Sequence, residues 1–462
     1  MANTELQRTQ SGTETNSKKA TISVWLKLSE VEGNWHMGVF GSHVSGDYNA
    51  NGNGQIGFYN GGLYAWFKTQ NTTYYKQEST RRFRDTNAWY HVVYRFDTTQ
   101  SSGDDRIRVY VNGEEITSWA AVNNPPQNEN IEINNGGRII RVGTYNFLDG
   151  TPNYFNGSMS HYHFCDGYSY APTEFGSTDS TTGEWKINTS PSVSYGTNGF
   201  LILKDGNTIT DQSSNSNNFS AGAGTLTKTE DNPSNVFATL NSLSKGIDQT
   251  LSNGNTTMVS GTSVTRTPTQ STLGMSSGKY YAEFKITNSA EPIPGVAYTQ
   301  SNYSVSSGVG YYPGYTSSAW GYLGSASAIY NNASSVGGTW SSFTSGDIIG
   351  IAINLDNLQG GLNKLYFSKN GVWQNGADPS NFTSVTGVVG ITTPSSTTDG
   401  YYYFSVGDGA GSTTSGIECN FGNGYFGTTA VSSAGTNASG IGIFEYDVPT
   451  GFTALSTKGL NL

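Results

Sequence analysis

Cysteine is nearly absent from this 462-residue chain: Cys165 and Cys419 are the only two. Two thiols, one in each half, cannot staple a chain of this length, so stability must come from packing. Charge is equally scarce. Asp, Glu, Lys and Arg together make up 13% of the residues, where about a quarter is usual. The formal net charge is −10, and the basic residues are scattered apart from Arg81, Arg82 and Arg84. A phosphate-tracking surface needs clustered cations, so nucleic acid is not an expected partner. No run approaches the roughly 20 apolar residues that a membrane-crossing helix needs, so membrane insertion is not expected either. The polar start, Met1 to Lys19, lacks the apolar centre of a signal peptide. The expectation is a chain made in the cytoplasm and starting near Met1. Asn-x-Ser/Thr triplets such as Asn71-Thr72-Thr73 then carry no weight as glycosylation sites.

What fills the space is glycine (59 residues), tyrosine (29) and much Asn, Ser and Thr. Disordered polar chains share some of this composition. Aromatic residues at 13% nevertheless supply enough large apolar area to order a core. The length exceeds what one core serves, which points to more than one domain.

Helical periodicity is almost invisible, while short alternating runs bounded by Gly and Asn recur throughout. In the first half, Thr21 to Lys27 alternates Ile22, Val24 and Leu26 with polar partners, and Trp25 breaks the pattern. Trp89 to Phe96 leads through Ser101-Ser102-Gly103-Asp104 into Arg106 to Val111, closed by Asn112-Gly113. Asn-Gly supplies the positive φ angles of a two-residue hairpin turn. From about Gly176 to Ser234 apolar density falls, and Phe200-Leu201-Ile202-Leu203 reads as the strand that closes the first domain. From Phe237 on, seven Lys or Arg and eleven Asp or Glu remain. Strands are expected at Lys279–Ile286, Asp347–Ile353, Lys364–Lys369 with the turn Asn370-Gly371, and Tyr401–Val406. No fixed repeat or heptad pattern is present. The reading is all-β: two antiparallel, jelly-roll-like β-sandwich domains in tandem, residues 1–232 (with 176–232 as closing strand and linker) and residues 233–462.

Four ordered motifs in the first half resemble laminin-G/pentraxin-like, concanavalin A-like domains. They are Thr21-Ile22-Ser23-Val24-Trp25-Leu26-Lys27, Trp89-Tyr90-His91-Val92-Val93, Arg108-Val109-Tyr110-Val111-Asn112-Gly113 and Phe155-Asn156-Gly157-Ser158-Met159-Ser160-His161. In the second half, Ser277 to Phe284, Gly295-Val296-Ala297-Tyr298, Gly346 to Gly350 and Leu365 to Gly371 resemble the SPRY strands in order. Cys165-Asp166-Gly167 through Pro172–Gly176, Asp231–Asn241 and Pro449–Leu455 are similar to segments of tailed-phage structural proteins. The resemblance implies a virion-surface structural or adhesion protein: a tail-fibre, head-fibre or capsid-decoration component that binds host-surface glycans. Other virion proteins and further copies of the chain are its expected partners. Two alternatives are kept: a glycan-cleaving hydrolase on a concanavalin-like fold, and capsid decoration without a ligand.

The hydrolase alternative needs two carboxylates flanking the bond to be cut. Glu114-Glu115 and Glu445-Tyr446-Asp447 are the nearest clusters, and neither has the third acid of a Glu-x-Asp-x-x-Glu strand, so no catalytic residue is assigned and the expectation is not an enzyme. His161-Tyr162-His163 is read as packing on an exposed strand face, since no cysteine or acid stands at a zinc spacing; no metal site is assigned. Asp97, Asp104 and Asp105 are calcium candidates by analogy with some laminin-G relatives, without matching a defined ligand motif. Sugar binding needs aromatic faces beside amide and carboxylate groups. Two aromatic clusters, both placed in loop regions, are the candidates. The first joins Trp35 and His36 with His43, Asp47, Tyr48 and Asn49. The second joins Tyr311, Tyr312 and Tyr315 with Trp320 and Tyr322. Tyr74-Tyr75 is a weaker third. On this reading Trp320→Ala lowers adsorption to host cells and leaves the fold intact.

Overall fold

The computed structural model describes residues 3–30, 36–48, 53–68, 74–147, 149–204, 208–262, 267–298, 311–359, 362–410 and 413–462. Among them helical geometry is confined to single 3-10 turns, and everything else regular is strand. The chain divides into two compact units, Met1–Lys228 and Thr229–Leu462. The division lies four residues before the boundary expected from composition.

In the first unit, eight strands form one sheet in the order Trp119–Asn123, Tyr74–Ser79, Gly62–Lys68, Gly54–Tyr59, His36–Val44, Arg138–Val142, Glu5–Thr9 and Ser220–Ala223. Six form the other: Phe200–Ile202, Gly157–Asp166, Lys19–Leu28, Trp89–Asp97, Ile107–Val111 and Glu114–Glu115. All these pairings are antiparallel. Strict alternation sends every second side chain inward. Ile22, Val24 and Leu26 from one sheet, and Phe40, Ile56 and Phe58 from the other, share one buried core. Trp25, which breaks the alternation in the sequence, points to the opposite face and is buried there against the ring of His91.

The second unit repeats the scheme. Its larger sheet runs Gln249–Ser252, Thr257–Ser260, Ser415–Asn420, Lys279–Ser289, Ile348–Gln359, Leu362–Lys369 and Val372–Trp373, with Val389–Ile391 and Thr453–Ala454 on the side. A six-stranded sheet packs against it through Tyr280, Ala282, Phe284 and Ile286 on one side and Val296, Trp320, Tyr322 and Phe404 on the other. The outer face of the larger sheet is buried as well. Tyr281, Ala352 and Tyr366 are covered there by Phe444, Val448 and Phe452 from the C-terminal segment.

Both Asn-Gly pairs form the expected hairpin turns, with φ of 50° and 81° at Asn112 and Gly113, and 48° and 77° at Asn370 and Gly371. In each, the asparagine side-chain oxygen accepts the backbone N–H of a neighbouring strand, His91 or Ile348, at 2.8 Å. In each, an aromatic ring rests where a glycine Cβ would stand, Trp185 on Gly113 and Tyr446 on Gly371.

A carboxyl group is sealed beneath the second unit's C-terminal cover. Glu283 is fully buried and accepts hydrogen bonds from the N–H groups of Glu445 and Tyr446 (2.8 Å each), from the Tyr281 hydroxyl (3.1 Å) and from the Asn420 amide (3.3 Å). Burial raises its pKa to about 7, against the pull of these four donors. A carboxyl with a raised folded pKa stabilises most below its unfolded value, about 4.3, and that stabilisation is lost as pH rises towards 7. All five histidines lie in the first unit, so imidazoles do not add to this in the second. Chemical denaturation of the second unit's transition should give a stability lower by about 3 kcal/mol at pH 8 than at pH 5. Glu283→Gln should remove most of that difference.

Candidate functional site

The strand Gly62–Lys68 carries the clearest surface signal. Leu63, Ala65 and Phe67 turn into the core, so Tyr64, Trp66 and Lys68 turn outward. Neighbouring strands add Tyr59 on one side and Tyr74, Lys76 and Glu78 on the other. The result is a row of aromatic rings on the outer face of the eight-stranded sheet. His36 stacks on Tyr59 (4.4 Å between ring centroids) and meets Tyr64 edge-on (5.3 Å). Trp66 lies against Tyr74 at 4.9 Å, and Tyr74 is 41% exposed. Lys76 pairs with Glu78 at 2.9 Å and sits over the Tyr64 ring. Burial, with Glu78 and Tyr59 nearby, pushes the Tyr64 phenol up to about 12.

A short hairpin, Thr144–Asn146 with Pro152–Tyr154, crosses this outer face and bounds the row. It approaches so closely that a Cβ on Gly38 would stand 2.2 Å from the Tyr145 nitrogen. The Tyr145 hydroxyl meets His36 Nδ1 at 2.5 Å, and Phe147 packs edge-on against the same imidazole at 4.8 Å. Burial holds His36 below the usual imidazole range; Glu78 raises it and Lys76 lowers it further.

The first expected cluster is brought together in part. Trp35 and Asn49 lie outside the described residues. His36 belongs to the aromatic row but stands on a strand, not in a loop. Tyr48 stacks on His43 at 4.8 Å and lies beside Gly150 of the crossing hairpin, while Asp47 stands exposed on the turn after Val44. The second cluster divides. Tyr311 and Tyr312 meet Tyr315 edge-on at 5.1 and 5.4 Å, half-buried. Trp320 and Tyr322 are not loop residues: they point inward from the strand Ala319–Leu323 and belong to the core. Tyr322 is surrounded by Trp340, Phe343 and Phe367, and its hydroxyl donates to the Ser341 carbonyl at 2.6 Å. A ring so packed cannot meet a ligand without unpacking the sandwich. The expectation that Trp320→Ala spares the fold is therefore corrected.

The other candidates hold structure together. Glu115 lies 3.6 Å from Arg108, whereas Glu445 and Asp447 accept the backbone N–H groups of Ser432 and Thr436. Asp97 accepts from Thr99 and Gln100 and pairs with Lys19, Asp104 accepts from Asn124, and Asp105 pairs with Arg108. Three carboxylates with separate partners do not converge on a cation. His161 and His163 are buried rather than exposed, and a β-bulge between Ser160 and His163 gives His161 a φ of 48°. Among the described residues no three His, Cys, Asp or Glu side chains are grouped to hold a metal ion. A cavity of about 380 Å³ in the second unit is lined by Lys279, Tyr280, Asp356 and Phe452, but its two charged groups already pair with each other at 2.7 Å.

Residues 3–173 match a laminin-G-type family model, that of the concanavalin A-like lectin/glucanases superfamily. The first unit is similar to these lectins and glucanases. The match covers the strands whose motifs resemble that family, and the aromatic row lies within it. No curated protein matches the sequence. Among solved structures, stonustoxin is 18% identical, with 40% of this chain covering 27% of that one and a TM-score of 0.27. A human SPRY domain is 18% identical, with 38% of this chain covering 95% of that one and a TM-score of 0.25. The CBM40 domain of the Ruminococcus gnavus IT-sialidase, solved with α2,3-sialyllactose, is 14% identical, with 33% of this chain covering 86% of that one and a TM-score of 0.24. This chain thus spans about a quarter of the stonustoxin chain.

Sequence reasoning missed Tyr59, Tyr64 and Trp66. The signal was present in Leu63-Tyr64-Ala65-Trp66-Phe67, where Tyr64 and Trp66 alternate with Leu63, Ala65 and Phe67, which fill the core. Replacing Trp320 by alanine should cost about 3–5 kcal/mol and lower the thermal midpoint of the second unit. Replacing the half-buried Trp66 should cost less than about 1.5 kcal/mol, a contrast that calorimetry can read.

Proposed function

We propose that this protein binds glycans and does not cleave them, through the outer face of the first unit's eight-stranded sheet. The observation that carries the reading is the row of Tyr59, Tyr64, Trp66 and Tyr74 beside the Lys76–Glu78 pair. Sugars offer apolar C–H faces to aromatic rings and hydroxyls to charged and amide groups, and this face presents both. The lectin/glucanase-type family match lies on the same stretch of chain. Binding is favoured over hydrolysis because glycoside cleavage needs two carboxyl groups held about 5–10 Å apart across the bond. Glu78 is paired with Lys76, and the acidic clusters flagged in the sequence serve ion pairs and turns.

The setting we infer is the surface of a tailed-phage virion, with other virion proteins and further copies of the chain as neighbours. Its support is the resemblance of Cys165–Gly176, Asp231–Asn241 and Pro449–Leu455 to phage structural segments. Purified protein should bind polysaccharide from a host envelope, and Trp66→Ala or Tyr74→Ala should weaken binding about tenfold each, or about 1.4 kcal/mol, with unchanged circular dichroism. Full affinity in both variants, or release of reducing sugars by the wild type, would overturn the reading. Capsid decoration without a ligand predicts instead that labelled protein lies over the head lattice and that Trp66→Ala particles adsorb normally.

A further inference from the structure

A segment running from Tyr168 to Tyr195 crosses the outer face of the first unit's six-stranded sheet. Thr21 Oγ1 donates to the Tyr168 carbonyl and accepts the Tyr170 N–H, and Arg95 donates to Ser169. The strands Gly176–Thr178 and Trp185–Ile187 within the segment form a hairpin whose Trp185 reaches the turn at Gly113. The Tyr195 carbonyl accepts the N–H of Asp166.

Beneath this strap, His91 is fully buried with its ring between Trp25 (4.9 Å) and Trp185 (5.9 Å). Its Nδ1 lies 3.0 Å from Trp185 Nε1 and its Nε2 lies 2.8 Å from Ser23 Oγ. An indole N–H can only donate, so His91 Nδ1 must be the acceptor and carry no proton. The imidazole is neutral, with its proton on Nε2 directed at Ser23. A second imidazole repeats the arrangement: His163 Nδ1 meets the Tyr195 hydroxyl at 2.9 Å, and Phe175 packs on its ring at 5.1 Å. The ionisable groups around the two are His161, on the same strand as His163, and Lys204. From the strap comes Tyr195, with Cys165, Tyr170 and Asp211 around it. Among the described residues the charged neighbours acting on the two imidazoles are cationic when ionised, so they oppose a positive charge here. Burial lowers His91 to about 3 and His163 well below the usual range.

We propose that the strap is an acid-released latch, in which protonation of His91 turns the acceptor of the Trp185 hydrogen bond into a donor and frees the segment 168–195 from the sheet. Two N–H groups then face each other across 3.0 Å, and a buried cation stands among neighbours of like sign. The sign follows from the lowered pKa values: the closed strap is stabilised above the pKa of a free imidazole, about 6.5, and that stabilisation is lost as pH falls below it. Each imidazole freed with an ordinary pKa raises the open fraction about 30-fold between pH 7.5 and pH 5.

Cys165 supplies the probe. Its side chain lies on the same outer face as His163, buried next to Tyr195, whereas Cys419 lies in the second unit's core and reports on that unit alone. Full-length protein is labelled with 4,4′-dithiodipyridine, which reacts in acid, and each thiol's rate is compared with that of the denatured chain at the same pH. Protection of Cys165 should fall by about 30-fold or more from pH 7.5 to pH 5, with protection of Cys419 not following it down. His91→Gln keeps an acceptor for Trp185 and a donor for Ser23 without titrating, and should reduce the change by about 30-fold. Trp185→Phe keeps a stacked ring without the N–H and should speed Cys165 labelling at pH 7.5. Constant protection of Cys165 in the wild type, loss of protection only together with Cys419, or wild-type pH dependence in His91→Gln would each overturn the latch.

Discussion

Asp166 is fully buried at the end of the strand Gly157–Asp166. One of its oxygens accepts the backbone N–H groups of Thr15 and Asn198, and the other accepts the Asn134 amide. Asn198 in turn donates to the carbonyls of Gly12 and Asn134, so one carboxylate and two amides tie four stretches of chain together. The same constraint acts throughout. Short strands leave many backbone groups without ladder partners, and a buried one left unpaired costs about 1–3 kcal/mol. With few charges available, the chain meets this need with Asn, Asp, Ser and Thr. Asp211 alone accepts from the N–H groups of Leu201, Ser213 and Asn217. The composition that looks like a disordered linker is what holds the loops in place.

The Asn-Gly hairpins show how such a polar contact becomes a packing device. A two-residue turn needs positive φ at both positions, but Asn112 and Asn370 also reach across to a third strand, so each turn fixes the strand beside it. Gly113 and Gly371 leave room for a ring that arrives from a later, distant segment. A side chain at either glycine would disturb both the turn and the cover that rests on it.

The all-β class and most strand positions were legible because alternation is a local signal. Ile22, Val24 and Leu26, or Tyr280, Ala282 and Phe284, declare a buried face within a few residues. The aromatic row was legible by the same rule at Tyr64 and Trp66, yet a rule looking for aromatics in loops passes over it. Trp320 and Tyr322 were misplaced for the complementary reason. They follow closely on Tyr311-Tyr312-Pro313-Gly314-Tyr315, and the small residues on either side of Trp320, Ala319 and Gly321, hide a strand whose inward positions are both aromatic. The bulge at His161 has no local signature at all, since it depends on how two strands meet. Covers are illegible in principle: nothing near Trp25 or Tyr281 announces that Trp185 or Phe444 will lie over that face.

Those covers also explain where His91 and Glu283 lie. In each unit, a later segment lies over the outer face of a sheet and is hydrogen-bonded to a buried ionisable side chain on that face, His91 below Trp185 and Glu283 below Glu445 and Tyr446. An apolar residue there would pack equally well but would give the cover no fixed register, because dispersion is not directional. A hydrogen-bonding group sets the register at the cost of desolvation, and desolvation favours the neutral form whichever the group is. For an imidazole the neutral form is the deprotonated one, and for a carboxyl it is the protonated one. The same physical device therefore responds to acid with opposite sign in the two units, loosening the cover on the first and tightening it on the second.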